Sequence, residues 1–210
     1  MTQPSPTRPR PARKSANDKT RVLTAFRRSE ILRAATRVFG NKGFDTTRMD
    51  DIAREAGLAK GTLYLYFKSK DAIYKATVQQ ALAELRELTT RHVDRESTFA
   101  GKFSAFIRVR LAFWHEQQSL YRVILSMGRA SHYRKQSIGW QREAVEYLAA
   151  ILAQAVEAGE IPTGDHLAAA WATMDAIRGF NERRIFSEGR SVEEDARFLT
   201  TFLLAALRSR

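Results

Sequence analysis

An all-α protein is predicted by three observations. Four of the five prolines fall in the first eleven residues, and none occurs from Ala12 to Ile161, so nothing of that kind interrupts helices there. Over the same span apolar residues recur at helical spacing, as in Ile31, Ala34, Ala35, Val38 and Phe39. No segment alternates with the period of two that a half-buried strand requires.

The opening MTQPSPTRPRP is polar and proline-rich, and residues 1–20 are expected to form a disordered basic arm. The first helix closes at Asn41-Lys42-Gly43, where Gly43 suits the left-handed position just beyond a helix end. Thr47 is expected to cap the second helix, with Asp50 and Asp51 favourable against its positive end. Ala56-Gly57-Leu58 makes a turn, Lys60 to Tyr66 a short third helix, and Ser69 caps a fourth that runs to about His92. Glu157 to Pro162 ends one long helix, and Thr163 or Gly164 precedes the next, which runs from Asp165 to Phe186. Ser191-Val192-Glu193-Glu194 is a capping-box pattern opening the last helix, which ends near Arg208. The organisation expected is an arm (1–20), a small helical domain (21–72) with a helix-turn-helix at about 47–66, and a larger helical domain (73–210).

Charge is distributed unevenly. Residues 1–28 hold eight Lys or Arg against one acid and residues 29–70 eight against five, so the first third carries most of the net +12. Positive charge gathered at one end points to a polyanionic partner, most simply nucleic acid. With no cysteine, disulfides and thiolate metal sites are excluded. His92, His115, His132 and His166 are scattered without metal-ligand spacing, and no G-x-S-x-G or glycine-rich phosphate loop is present. No enzyme activity, metal or cofactor is expected. No apolar run approaches the roughly 18 residues of a membrane span, and no secretion signal is evident, so the cytoplasm is the expected location.

The stretch AGLAKGTLYLYFKSK, Ala56 to Lys70, gathers lysines, tyrosines and a glycine. Ile52, Ala53, Leu58 and Leu63 give the two helices around the turn an apolar inner face, leaving Lys60, Gly61, Thr62, Tyr64, Leu65 and Tyr66 outward. Lysine offers charge to phosphate or hydrogen bonds to a guanine edge, glycine lets backbone approach, and hydroxyls can donate to phosphate oxygens. Lys70 stands at a helix N-terminus, which itself favours an anion. Arg8, Arg10, Arg13 and Lys14 of the arm either enter an adjacent minor groove or only raise non-specific affinity.

Thr46-Thr47, Asp51-Ile52-Ala53, Ala56-Gly57-Leu58, Lys60-Gly61-Thr62-Leu63-Tyr64, Tyr66-Phe67 and Ser69-Lys70-Asp71 together resemble the N-terminal domain of TetR-type transcriptional regulators. Ile31-Leu32-x-Ala34-Ala35 and Phe39-x-x-x-Gly43-Phe44 look like the first helix of that family, and the match covers about residues 27–76. The resemblance implies a three-helix DNA-reading head on a helical domain that dimerises and often holds a small-molecule pocket. It assigns DNA contacts to Lys60, Gly61, Thr62, Tyr64, Leu65, Tyr66 and Lys70, with Thr47 and Arg48 at the start of the supporting helix. Two departures stand out. Ala59 replaces a usual hydroxyl cap, and Leu65 occupies an often polar position, where it reads a thymine methyl or nothing. The implied function is a regulator, a repressor released from a palindromic operator by an effector. The alternative is a non-specific architectural DNA binder.

In the last helix Leu199, Leu203, Ala206 and Leu207 make one apolar face and Phe198, Phe202 and Ala205 another. A helix with two such faces meets two partners, so Phe198, Phe202 and Ala205, with Trp171 of the preceding helix, are the expected homodimer interface. Phe103, Phe106, Phe113, Trp114, Trp140 and Tyr147 recur at helical spacing, and are read either as plain core or as the wall of an effector pocket. Arg110 falls on the same stripe and Glu143 between Trp140 and Tyr147. The two are expected to pair with each other, unless Arg110 reaches water, or one of them anchors a polar group of an effector.

Overall fold

The computed structural model describes residues 13–128, 131–186 and 190–208. Among the described residues there are nine helices and no strand: α1 (Arg13–Lys42), α2 (Met49–Glu55), α3 (Lys60–Tyr66), α4 (Lys70–Val93), α5 (Phe99–Glu116), α6 (Gln118–Gly128), α7 (Ser131–Glu157), α8 (His166–Phe186) and α9 (Val192–Arg208). The predicted class is the observed one.

Several boundaries follow from the local chemistry anticipated for them. Gly43, at φ 80°, ends α1 with its amide donating 2.8 Å to the Phe39 carbonyl. Ser69 Oγ accepts the Ala72 amide (3.1 Å) and opens α4. The Ser191–Glu194 capping box is reciprocal: the Ser191 amide donates to the Glu194 carboxylate (2.8 Å) and the Glu194 amide to Ser191 Oγ (3.2 Å).

Three expectations need correcting. The arm does not extend to residue 20, because α1 already runs from Arg13 and takes in Lys14; Arg8 and Arg10 lie outside the described residues. Proline supplies the reason for the difference, since the last one before the helix is Pro11 and good helix formers follow it. Thr47 does not cap α2. Arg48 occupies that position, while the Thr47 hydroxyl, 2% exposed, donates back to the Gly43 carbonyl (2.6 Å). The helix expected from Asp165 begins at His166, because Asp165 caps α8, its carboxylate accepting the Ala168 amide (2.9 Å).

Two apolar cores meet along α5. The first joins Ile31, Phe39, Phe44, Ile52, Leu63 and Phe67 to Tyr74 and Val78 of α4, Val109 and Phe113 of α5 and Leu120 of α6, so the small head is continuous with the body. The second packs Phe103, Phe106 and Leu111 of α5 against Leu148 and Leu152 of α7, Ile177 of α8 and Leu199 of α9. At Gly40 a Cβ would lie 2.6 Å from Ser119 Cβ, so α1 and α6 approach as closely as only glycine permits.

Between α8 and α9 the Asp195 carboxylate is buried on Arg184, itself nearly buried, with the Arg183 guanidinium 3.8 Å away. Truncating Asp195 to Ala leaves Arg184 buried without its partner and is expected to cost about 3 kcal/mol. Ser191→Ala, which removes only the cap, is expected to cost about 1 kcal/mol. Chemical denaturation of the two variants measures both.

Candidate nucleic-acid interface and effector cavity

The helix-turn-helix is built by backbone and ion-pair constraints from both sides. Gly57 takes φ 66°, and the Leu58 amide then returns to the Ala53 carbonyl (2.8 Å), turning the chain between α2 and α3. At the head of α2, Asp51 accepts Lys42 Nζ (2.8 Å) and the Arg48 amide (3.0 Å), and these two bonds hold its carboxyl below the usual range. Glu55 at the other end accepts Arg37 Nε of α1 (2.6 Å). The seven residues of α3 have no side-chain cap at Ala59, as its methyl requires. Their far end is held by Arg28 of α1, which donates to the Tyr66 carbonyl (2.8 Å) and lies 4.2 Å over the Phe67 ring.

With Leu63 fully buried beneath, α3 turns Lys60, Gly61, Tyr64 and Leu65 outward, and Leu65 is 80% exposed. Thr62 and Tyr66 are half-buried at the edges of this row, and Arg48 is exposed at the start of α2. A Cβ at Gly61 would meet nothing within 4 Å, so the backbone there is open to whatever docks. Lys60 is paired with the Asp50 carboxylate (2.9 Å), whose hydrogen bond raises the lysine's pKa and keeps it charged. Two expected contacts are oriented otherwise. Thr47 is turned into the head, and half-buried Lys70 donates to the carbonyls of Phe44 (2.7 Å) and Asp45 (3.2 Å), 4.3 Å over the Phe44 ring. Both position the head rather than presenting a free group. Arg28 carried no signal in the sequence because its partner lies 38 residues away, and Asp50 was legible only as a charge at a helix start because Lys60 lies 10 residues on.

In the body, two adjoining lobes of about 90 and 140 Å³ open between α4, α5, α6, α7 and α8. They share Leu82, Leu85, Arg110, Trp140 and Ala144. Of the residues expected there, Arg110, Trp114, Trp140, Glu143 and Tyr147 line one lobe or the other. Phe103, Phe106 and Phe113 do not; they are buried in the core, and Phe113 borders a separate opening beside Val109 and Ala112. The residues missed are chiefly aliphatic: Leu82, Leu85, Ile124, Met174 and Ile177.

Arg110 does not pair with Glu143. Glu143 is exposed and accepts Arg86 Nη1 (2.6 Å) at the rim of the second lobe. Arg110 is 5% exposed, donates from Nη1 to Thr89 Oγ1 (2.6 Å) and lies 4.0 Å over the Phe106 ring, while its Nε has no hydrogen-bond partner among the described residues. Burial pushes its pKa down to about 9, which still leaves it charged at neutral pH.

On the opposite side of α8 and α9, Phe180, Phe198 and Phe202 form a row of stacked rings with successive centroids 6.1 Å apart. Phe198 and Phe202 are exposed, as are Ala205, Leu167 and Phe186; Trp171 is half-buried. Among the described residues no cluster of three or more His, Cys, Asp or Glu could hold a metal, and no helix is long and apolar enough to cross a membrane.

Residues 31–77 match the family model of bacterial regulatory proteins, tetR family. The chain is 35% identical over 75 residues to the uncharacterized HTH-type transcriptional regulator YfiR of Bacillus subtilis (strain 168), covering 36% of this chain and 37% of that one. It is 26% identical over 137 residues to the fatty acid metabolism regulator protein of the same strain, covering 64% and 71% of the two chains. Alignments to the curated relatives thus centre on the head, and the first of them span only about a third of the relatives' length. The fold extends further. The crystal structure of the transcriptional regulator FadR from Bacillus subtilis in complex with stearoyl-CoA superposes with a TM-score of 0.75 at 23% identity, over 86% of this chain and 97% of that one. Residues 31–77 are thus the N-terminal domain of the tetR family of bacterial regulatory proteins, and the rest of the chain has the fold of these regulators.

Proposed function

We propose that the protein is a sequence-specific DNA-binding transcriptional regulator, a homodimer that represses from a palindromic operator and leaves it when a small molecule fills the body cavity. The observation that carries this reading is the outward row on α3, where Lys60, Gly61, Tyr64 and Leu65 stand exposed above a fully buried Leu63. A short helix so exposed, flanked by Arg48 and by a net-positive head, has the shape and charge to enter a major groove. The Phe180–Phe198–Phe202 row supplies an apolar face for a second copy, which would set two such helices about 34 Å apart. The Bacillus subtilis FadR structure, in complex with stearoyl-CoA, supports the reading that a body of this fold takes a small molecule.

In this mechanism the effector binds one arrangement of the helices better than the other, and the difference in affinity shifts the population away from the operator-competent spacing. A non-specific architectural binder shares the basic head, but has no use for a cavity or for Leu65. Working on genomic DNA places such a regulator in the cytoplasm.

Selection of bound genomic fragments by the purified protein at several salt concentrations tests the reading. One short palindrome is expected; uniform recovery of all fragments would overturn it. Lys60→Ala is expected to weaken binding evenly across sequences and to lower the salt slope by about 1. Leu65→Asn is expected to change preference at one base pair per half-site, where a thymine methyl is read, and unchanged preference in the same selection would show that Leu65 reads nothing. Phe202→Glu places a charge in the apolar row, and is expected to give a monomer by sedimentation that no longer retains the palindrome.

A further inference from the structure

The single buried cation of the cavity specifies the chemistry of its occupant. Arg110 stands on the wall that both lobes share. Its bonded partners are a neutral hydroxyl and the face of a phenyl ring. The Thr89 oxygen that receives it already donates to the Leu85 carbonyl (2.7 Å), so the hydroxyl proton is committed elsewhere. No carboxylate among the described residues pairs with Arg110: Glu143 is spent on Arg86 at the rim. The other arginine at the first lobe, Arg178, is exposed and already tied to Asp175 (3.0 Å) and Glu182 (3.9 Å). A buried charge without a counter-charge is costly, and an anion arriving with a ligand removes that cost.

The apolar walls and the size limit the rest of the ligand. Leu82, Trp114, Ile124, Trp140, Met174 and Ile177 face the first lobe. An apolar cavity of about 150 Å³ accommodates benzene, so the second lobe, at about 140 Å³, is of ring size, and the adjoining first lobe, at about 90 Å³, extends it. A phosphate, carrying up to two charges and demanding many donors, finds one buried guanidinium without a counter-charge, Arg86 and Arg178 being exposed and already paired; a carboxylate needs no more than that.

We propose that the cavity binds a small organic carboxylate with an apolar, ring-sized body, its carboxylate on Arg110 and its body between Trp114 and Trp140. This deepens the effector reading above and rests on it for its regulatory meaning, though not for the binding itself.

The test uses the full chain without DNA and follows thermal unfolding and tryptophan emission. The probes are matched pairs: benzoate and benzamide, phenylacetate and phenylacetamide, octanoate and 1-octanol. At least one acid is expected to raise the melting temperature and change the emission, while its neutral counterpart does neither. Arg110→Met is expected to abolish the response to the acid and to raise the ligand-free melting temperature by about 2–6 °C, since an uncompensated buried charge is gone. Arg110→Lys keeps the charge but loses the planar fork, and is expected to retain a response with affinity about tenfold weaker. Equal responses to acid and neutral partner, a response that survives in Arg110→Met, or no response to any probe each overturns the proposal. Should Arg110→Met not fold, the acid–neutral pairs and Arg110→Lys still decide it. Binding of the acid with no release of operator DNA would keep the site and remove only its regulatory role.

Discussion

Three rings hold the head to the body. Phe39 of α1 and Phe44 of the following loop lie 5.4 Å apart, and Tyr74 of α4 meets them edge-on at 6.4 and 5.4 Å. Each such pair contributes about 0.5–1.5 kcal/mol beyond the area it buries. Desolvation of Tyr74 raises its hydroxyl pKa to about 12, so the ring stays neutral throughout the physiological range. Everything that orients α3 is fixed relative to this cluster. Lys70 crosses the Phe44 ring to the loop carbonyls, Arg28 closes α3 onto α1, and the ion pairs of Asp51 and Glu55 fasten α2 to the same helix. The reading head therefore moves as a unit or not at all.

The same cluster reaches the cavity. Tyr74 lies 6.4 Å from Trp140, whose ring lines both lobes. A ligand that displaces Trp140 thus acts on the residue that anchors the head, with no intervening loop to absorb the movement. Packed interiors resist gradual deformation and pass strain along. Gly40 against Ser119 adds a second rigid point, since α1 and α6 can close no further. In the proposed mechanism these contacts are the physical basis of coupling; they show contiguity, and the differential affinity of the two states does the rest.

Local rules made the helix ends legible. Gly43, Ser69 and the Ser191–Glu194 pair act within a few residues of themselves, so their chemistry is complete in the sequence. Thr47 shows where this stops. A threonine suits an N-cap and suits equally a bond to the carbonyl four residues back, and only the path of the loop selects between them. Lys70 was legible as a cation at a helix start, but its carbonyl acceptors lie 26 and 25 residues earlier. The cavity was half legible for a similar reason. Periodicity identifies the inward face of a helix and says nothing of whether the facing helices close on it. Phe103 and Phe106 meet partners and become core; Leu82 and Met174, no different in pattern, border a gap that five helices fail to fill.

The position of that gap matters more than its size. One wall is α4, which begins at the head; another is α8, which carries Phe180 of the apolar row and is locked to α9 through Arg184 and Asp195. A ligand in the lobes therefore lies between the face proposed for the second copy and the helix that supports the reading head. The 24 residues of α4 span about 36 Å. The cavity touches α4 at Val78, Leu82 and Leu85, so the arm from Leu82 to Lys70 is about 18 Å, and a tilt of about 5° there moves the head end by about 1.6 Å and the two heads of a dimer by about twice that. In the proposed mechanism such a shift moves the two recognition helices away from the spacing of half-sites about 34 Å apart. In that mechanism a ring-sized guest acts at a distance because packed helices resist gradual deformation and pass strain along.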